Sequence, residues 1–312
     1  MSRGYAIRRM EPGDRDAIAA VIYHSLNAYY VSIGRGEVMT GGEETAAIFF
    51  DVYEKIDPGE GIIAVDDESG AIIGSCFVHP RETHFSLGIM TVHPEQFGRG
   101  VARALLSEIT ERAAGEGKSV RLVSSCFNLE SYSLYTRAGF VPFATFQDMM
   151  VAVPEDGLGG EAPEGMDSVR AATLEDVEAM AAVEMEVSGI SRRNDYRYFI
   201  ENSAGYWSVS VYESAGGEGV DGFLVSCGSP DFNMVGPGVA RTEGQAAAMA
   251  YAELDGQRGK SPILLAPVGC GELVKCLYEW GGRNCEMHVA QSLGPVADVK
   301  GVVMPTFLPE SG

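Results

Sequence analysis

A chain of 312 residues exceeds the length at which one hydrophobic core usually stops growing, so two domains of roughly 150 residues are the default expectation. Hydrophobic residues make up 46% and charged residues 21%, which excludes a mainly disordered chain. No apolar run approaches the roughly 20 residues of a membrane-spanning helix, and the start MSRGYAIRRMEPGD lacks a signal peptide's apolar stretch, so a cytoplasmic protein is expected. With 23 basic and 44 acidic residues the net charge is −21, a field that repels phosphate backbones and anionic lipid; neither nucleic acid nor membrane is expected as a partner.

In the first half, periodicity predicts the elements in order. Asp14 reads as the N-cap of a helix carrying Ala17, Ile18, Val21 and Ile22. GIIAVDDESGAIIGSCFVHP reads as two strands around an Asp-Glu-Ser-Gly turn, and His84 to Val92 as a third strand. Val101, Leu105, Ile109 and Ala113 form one stripe of a helix ending near Gly115, and Val120 to Ser124 is a strand. A short helix over Tyr132 to Thr136 is stopped by Gly139, before a last strand or hairpin from Phe140 to Val153. This succession gives an α+β fold around a mixed, mostly antiparallel sheet.

From Pro154 to Asp167 the chain reads PEDGLGGEAPEGMD, with four glycines, two prolines, five acids and no base. That composition predicts a linker at 154–167 between a first domain, 1–153, and a second, 168–312. The net charge is −7 up to residue 154 (13 basic, 20 acidic) and −14 beyond it (10 basic, 24 acidic), so a cationic ligand would be steered mainly by the second half. The halves also read as weak copies. Ile7-Arg8 with Asp14, Ala17, Ile18 and Val21 matches Val169-Arg170 with Asp176, Ala179, Met180 and Val183 at an offset of 162. Gly98-x-Gly-Val-Ala-Arg103 matches Gly236-x-Gly-Val-Ala-Arg241 at 138, and Leu134-Tyr135 matches Leu277-Tyr278 at 143. The falling offset assigns extra sequence to the first half between about Tyr23 and Gly61.

The segment IMTVHPEQFGRGVARALL runs from strand through a short turn into helix. Gly98, Gly100 and Ala102 leave backbone N–H groups uncovered at a helix N-terminus, which suits phosphate or pyrophosphate; the alternative is a tight turn that needs small residues only for packing. Arg99 and Arg103 can add charge. The dinucleotide fingerprint is excluded because Arg103 takes the place of its third glycine, and a Gly-Lys-Ser/Thr phosphate loop is absent. Cys76, Cys126, Cys227, Cys270, Cys276 and Cys285 contain no Cys-x-x-Cys pair, so buried free thiols and no metal are expected.

Val92-His-Pro-Glu before the turn, Gly100-x-Ala102 within it, Asn128, and Leu134-Tyr135-x-x-x-Gly139-Phe140 together resemble the GNAT superfamily of acetyl-coenzyme A-dependent N-acetyltransferases, over about residues 5–150. The family's phosphate loop reads Gln/Arg-x-x-Gly-x-Gly/Ala. Its glycine falls on Gly100 and its last small residue on Ala102, whereas its first position falls on Phe97 with Gln96 one residue early. The resemblance implies two GNAT-like domains, each a mixed sheet splayed in the middle and flanked by helices. It implies acetyl transfer from acetyl-coenzyme A to the amine of a small molecule or protein lysine, by direct attack in a ternary complex.

Roles follow from the same resemblance. Backbone groups of Met90 and Val92 would pair with the pantetheine arm, and Gly98, Arg99, Gly100, Val101, Ala102 and Arg103 would hold the pyrophosphate. Asn128 would bond the coenzyme arm, or only cap the helix that follows it. Tyr135 would protonate the departing thiolate, or be an ordinary core tyrosine, with the Met90 N–H as oxyanion donor. His84, with Glu82, is the candidate base on the acceptor side, or a structural histidine. The second half keeps Gly236, Gly238 and Tyr278, but Pro237 removes a donor and Gly271 stands where Asn128 maps, so it reads as a degenerate copy. Such a copy would complete the acceptor cleft or mimic the partner subunit of a dimer, giving a monomer or a homodimer. A non-catalytic acyl-coenzyme A sensor and a transferase of longer acyl groups are the alternatives. The acids of 24–60, among them Glu37, Glu43, Glu44 and Asp51, leave a polyamine, an aminoglycoside-like amine or a lysine open as acceptor.

Overall fold

The computed structural model describes residues 4–217 and 219–309. By packing, the chain divides into two compact units: one runs to Leu122 and takes in a short stretch from Phe307, and the other is Val123–Thr306.

In the first unit the chain forms β1 (Tyr5–Arg9), α1 (Arg15–Ser32), α2 (Ala47–Ile56), β2 (Ile62–Asp66), β3 (Ile72–Pro80), β4 (His84–Val92), α3 (Val101–Gly115) and most of β5 (Ser119–Ser125). Strand neighbours run β1-β2-β3-β4-β5, antiparallel except for the parallel pair β4 and β5. Strand β3 is buried from Ile73 to His79, which is why its sequence shows no alternation. The predicted stripe of α3 is buried at Val101, Leu105, Ile109 and Ala113, and α1 buries Ile18, Val21 and Ile22. Asp14 stands at the predicted N-cap position of α1, but its side chain bonds elsewhere. Its carboxylate accepts from the Glu11 N–H at 2.8 Å and forks onto Arg8 at 2.6 and 2.7 Å, and it makes no side-chain cap to α1. Two elements escaped the periodicity reading. Strand β1 buries only Tyr5, and α2, AIFFDVYEKI, is apolar on so many sides that a strand fits its pattern equally well.

The second unit follows with α4 (Leu129–Arg137), β6 (Val141–Met150), β7 (Val169–Ala171), α5 (Val177–Ser188), α6 (Arg193–Glu201), β8 (Trp207–Glu213), β9 (Val220–Gly228), β10 (Asn233–Ala240), α7 (Glu243–Asp255), β11 (Ile263–Pro267), α8 (Gly271–Glu279), β12 (Arg283–Leu293) and β13 (Val302–Met304). Its strand neighbours run β12-β6-β11-β10-β9-β8-β7, with β13 beside β10. Strand β6 pairs antiparallel with β12 on one side and with β11 on the other, so the last strand before the glycine-rich segment finds both partners beyond it. The tail of β5 also lies on β12, the Cys126 N–H donating to Met287 O at 2.9 Å.

The chain just before the glycine-rich segment and Leu158 within it are packed, while Pro154, Glu155 and Asp156 are exposed. Val151 and Val153 donate to Pro262 O (3.1 Å) and Lys260 O (2.9 Å), and the Leu158 N–H donates to Asp255 Oδ1 at 2.8 Å. Leu158 joins a core with Met149, Leu254, Leu264 and Trp280, so one leucine among the glycines suffices to pin the strap.

The repeat is visible in each unit by itself. Arg170 forks onto Asp176 at 2.8 and 2.8 Å, and the Thr173 N–H donates to that carboxylate at 2.7 Å, repeating Arg8, Asp14 and Glu11. The second sequence match requires correction. Gly236, Pro237 and Gly238 lie inside β10, whereas Gly98 and Gly100 lie in the loop before α3. Eight residues separate β4 from α3, but only Arg241 and Thr242 separate β10 from α7.

Candidate active site

Strand β4 pairs with β5 only at His84, Phe85 and Ser86, opposite Ser119, Val120 and Arg121. From Leu87 to Val92 its pairing, among the described residues, is with β3 alone. The cause of the parting is local. The register shifts between Cys76↔Met90 and Val78↔Leu87, so Gly88 and Ile89 stand opposite Phe77 alone, and such a bulge bends and twists its strand. Gly88 is required there, because a Cβ would sit 2.6 Å from Tyr53 Cε1 and 3.1 Å from Phe77 Cβ. The stretch carrying Met90 and Val92 is therefore an open strand edge, able to take an extended ligand as an added strand.

That edge runs into the loop. Gly98 and Gly100 adopt φ of +80° and +79°, a conformation that costs other residues about 1–2 kcal/mol. Gly100 is the N-cap of α3, and the first bond of the helix is from the Ala104 N–H to Gly100 O at 3.1 Å. The amides ahead of Ala104 thus have no acceptor within the helix and face outward at its positive end. A Cβ on Gly98 would meet nothing within 4 Å, and one on Gly100 only Arg103 Nη2 at 3.7 Å and the Tyr5 hydroxyl at 4.0 Å, so the approach is open. The two arginines differ. Arg99 is held by Asp66 Oδ2 at 2.8 Å, Gln96 Oε1 at 2.5 Å and Gly4 O at 3.0 Å. Bonds from Ser69 and then from Arg99 pull the Asp66 carboxyl down to about 2, so the charge of Arg99 is answered at neutral pH. Arg103 is exposed and has no acidic partner among the described residues.

Asn128 and Tyr135 belong to the second unit. Asn128 Oδ1 caps α4, accepting from the Ser131 N–H at 3.0 Å, the capping role that was the alternative expectation. Tyr135 is 6% exposed, with its ring 5.7 Å from that of Phe140. The Phe140 N–H returns to Tyr135 O at 3.1 Å around Gly139, at φ +94°, so the spacing Leu-Tyr-x-x-x-Gly-Phe is that of one helix end. His84 lies apart from the open edge. It is buried at the first, paired position of β4 with its Nδ1 3.0 Å from Thr83 Oγ1. Six residues of strand, about 20 Å, separate it from Met90, which disfavours it as a base at the open edge. Glu82 is exposed beside it.

The cysteines are free; Cys76 and Cys227 are buried, and the other four are half-buried rather than fully buried as expected. Burial and then the charges of Asp148 and Glu286 raise the Cys126 thiol, which removes the activation a nucleophilic cysteine needs. Sequence reasoning passed over His288, whose Nδ1 lies 2.9 Å from Asp148 Oδ1. A lone histidine among apolar strand residues gave no signal; only the pairing of β6 with β12 reveals its partner.

The second copy differs at each of these points. Strands β10 and β11 pair in parallel only at Met234↔Ile263 and Val235↔Leu264. Beyond that, β13 pairs antiparallel with β10 over Gly238–Ala240, and its Val302 and Met304 are buried in the core with Val235 and Leu264. The chain's own strand thus covers the stretch of β10 that corresponds to the open stretch of β4. Tyr278 is exposed, its hydroxyl 3.2 Å from Gln147 Oε1.

Residues 58–142 match the family described as the acetyltransferase (GNAT) domain. No curated protein matches the chain. Among solved structures, a candidate acetyltransferase of Pyrococcus horikoshii is 14% identical over 97% of this chain and 93% of its own, with a TM-score of 0.73. A GCN5-related N-acetyltransferase of Sphaerobacter thermophilus is 17% identical over 96% and 99%, with a TM-score of 0.60. A tandem GNAT protein from the clavulanic acid biosynthesis pathway is 14% identical over 94% and 100%, also at 0.60. At these identities the likeness is one of fold. The chain has the fold of tandem GNAT proteins, and it is an acyltransferase by the match of residues 58–142 to the GNAT acetyltransferase domain.

Proposed function

We propose that the protein transfers an acetyl group from acetyl-coenzyme A to a primary amine, with catalysis in the first copy, 1–153, and a degenerate copy in 168–312. The observation that carries this reading is the open edge of β4 leading into the outward-facing amides before Ala104. An extended amide-bearing arm followed by a pyrophosphate matches that succession of donors and acceptors. In this reading Met90 and Val92 pair with the pantetheine arm, Gly98 to Arg103 hold the pyrophosphate, and Arg103 supplies the charge. Asn128 binds the arm and the Met90 N–H stabilises the oxyanion. The amine nitrogen attacks the thioester carbonyl, the carbon–sulfur bond breaks, and Tyr135 gives its proton to the departing thiolate.

The second copy holds no coenzyme in this reading, because its loop is two residues long and β13 lies along its strand edge. A panel of primary amines, including spermidine and an Nα-blocked lysine amide, tests the proposal through amine-dependent thiol release from acetyl-coenzyme A. Release that is lowered roughly tenfold or more in Tyr135→Phe supports it. Binding of acetyl-coenzyme A with no release for any amine would favour a non-catalytic acyl-coenzyme A sensor.

A further inference from the structure

In the first unit a cavity of about 510 Å³ opens between the first half of α1, the turn that enters β3 and the end of β4. Its volume falls in the roughly 300–1,000 Å³ range of small-molecule sites. Ala17, Ala20, Val21 and Ile72 give it an apolar floor, and His93, which follows β4, stands in its wall. The cavity lies on the face of the sheet away from α3. A Cβ on Gly74 would sit 2.8 Å from Val101 Cγ1, so position 74 and its partner Val92 face that helix. Ser75 and Thr91 face the other way, their hydroxyls 2.9 Å apart. His93 is the next residue on the face of Thr91, its N–H still paired with Ile73 O at 2.9 Å. The amides ahead of Ala104 belong to α3 and are therefore a separate site.

The chemistry of the lining selects a ligand class. Among the described residues that line the cavity, Asp14 is the sole carboxylate, and it is already engaged by the Arg8 fork and the Glu11 N–H. An ammonium would find no free acid there. The other ionisable lining residues are basic: Arg8, His24 and His93. His24 donates from Nε2 to Glu43 Oε1 at 2.8 Å, and its ring stands edge-on to that of His93, with centroids 5.8 Å apart. The Glu95 N–H donates to His93 Nδ1 at 3.4 Å, which puts the imidazole proton on Nε2. That Nε2–H has no acceptor among the described residues, so an oriented donor stands above an apolar floor. We propose that the cavity binds a small carboxylate with an apolar body, one oxygen accepting from His93 Nε2 and the body lying on Ala17, Ala20, Val21 and Ile72. An anionic acceptor makes the stronger hydrogen bond and suits the basic lining. Binding there needs neither coenzyme nor amine, so it is independent of the acetyl-transfer reading.

The probe is benzoate, with benzamide and benzylamine as its neutral and cationic counterparts, titrated into the full chain while the imidazole Cε1–H signals of its five histidines are followed by NMR. His24→Gln and His93→Phe assign two of those signals. Benzoate is expected to shift both saturably, to leave the other three in place, and to bind several-fold tighter than either counterpart. His93→Phe keeps a ring and removes the donor; it should weaken benzoate roughly ten- to a hundredfold, the loss expected for a hydrogen bond to a charged group. Ala20→Phe fills the floor and should abolish binding, and if that variant folds poorly His93→Phe decides alone. Gly100→Glu, at the loop before α3, should leave benzoate affinity unchanged. Unmoved His24 and His93 signals, equal binding of benzamide or benzylamine, unaltered affinity in His93→Phe, or loss of binding in Gly100→Glu would each overturn the proposal.

Discussion

Gly100 and Tyr135 carry the sharpest residue-level expectations. Gly100→Glu places a carboxylate at a backbone position with φ +79° and beside the outward-facing amides, and calorimetry should show acetyl-coenzyme A binding abolished. Tyr135→Phe should lower turnover by roughly ten- to ten-thousand-fold with coenzyme affinity retained, whereas Tyr278→Phe, at an exposed site, should be silent. A third expectation concerns pH. Burial raises the Glu253 carboxyl above its ordinary value against the pull of Ser210, Ser226 and Ser208, whose hydroxyls surround it. A carboxyl raised in the folded state stabilises below the ordinary carboxylate range and loses that contribution as pH rises through the folded value. Thermal unfolding between pH 4 and 8 should therefore show Glu253→Gln falling less in stability than the wild type as pH rises; parallel curves would contradict this.

The elements that position the site were legible where one segment's own pattern decides them. The α3 stripe, the turn closed by Gly70 and the strand His84–Val92 follow from spacing, turn chemistry and run length within a few residues of chain. What was illegible depends on distant partners. Nothing in VPFATFQDMM says that its neighbours are β11 and β12, and three-residue β13 is too short to announce itself. Gly-x-Gly-Val-Ala-Arg misled because the same letters serve a loop and the first turn of a helix in one copy and a bulged strand in the other. Two tests belong at this scale. A chain nicked within 154–167 should remain one particle on native size exclusion, since β6 is held on both edges; separation of the pieces would contradict the pairing of β6 with β11 and β12. Met304→Ala should lower stability by about 2–5 kcal/mol in denaturant titration without creating a second coenzyme site.

Among the described residues, β4 leaves its edge open beyond Ser86 while β10 has its counterpart covered by β13, and the chain carries a net charge of −21. If the acceptor is an ammonium, its apparent KM should rise with salt, as screening shortens the reach of that field to about 8–10 Å near physiological ionic strength. Under the proposed function the first copy alone seats acyl-coenzyme A. Calorimetric titration of the intact protein with acetyl-coenzyme A reads it directly: one site per chain, lost in Gly100→Glu, is the predicted result, and two sites, or binding that survives that substitution, would contradict it.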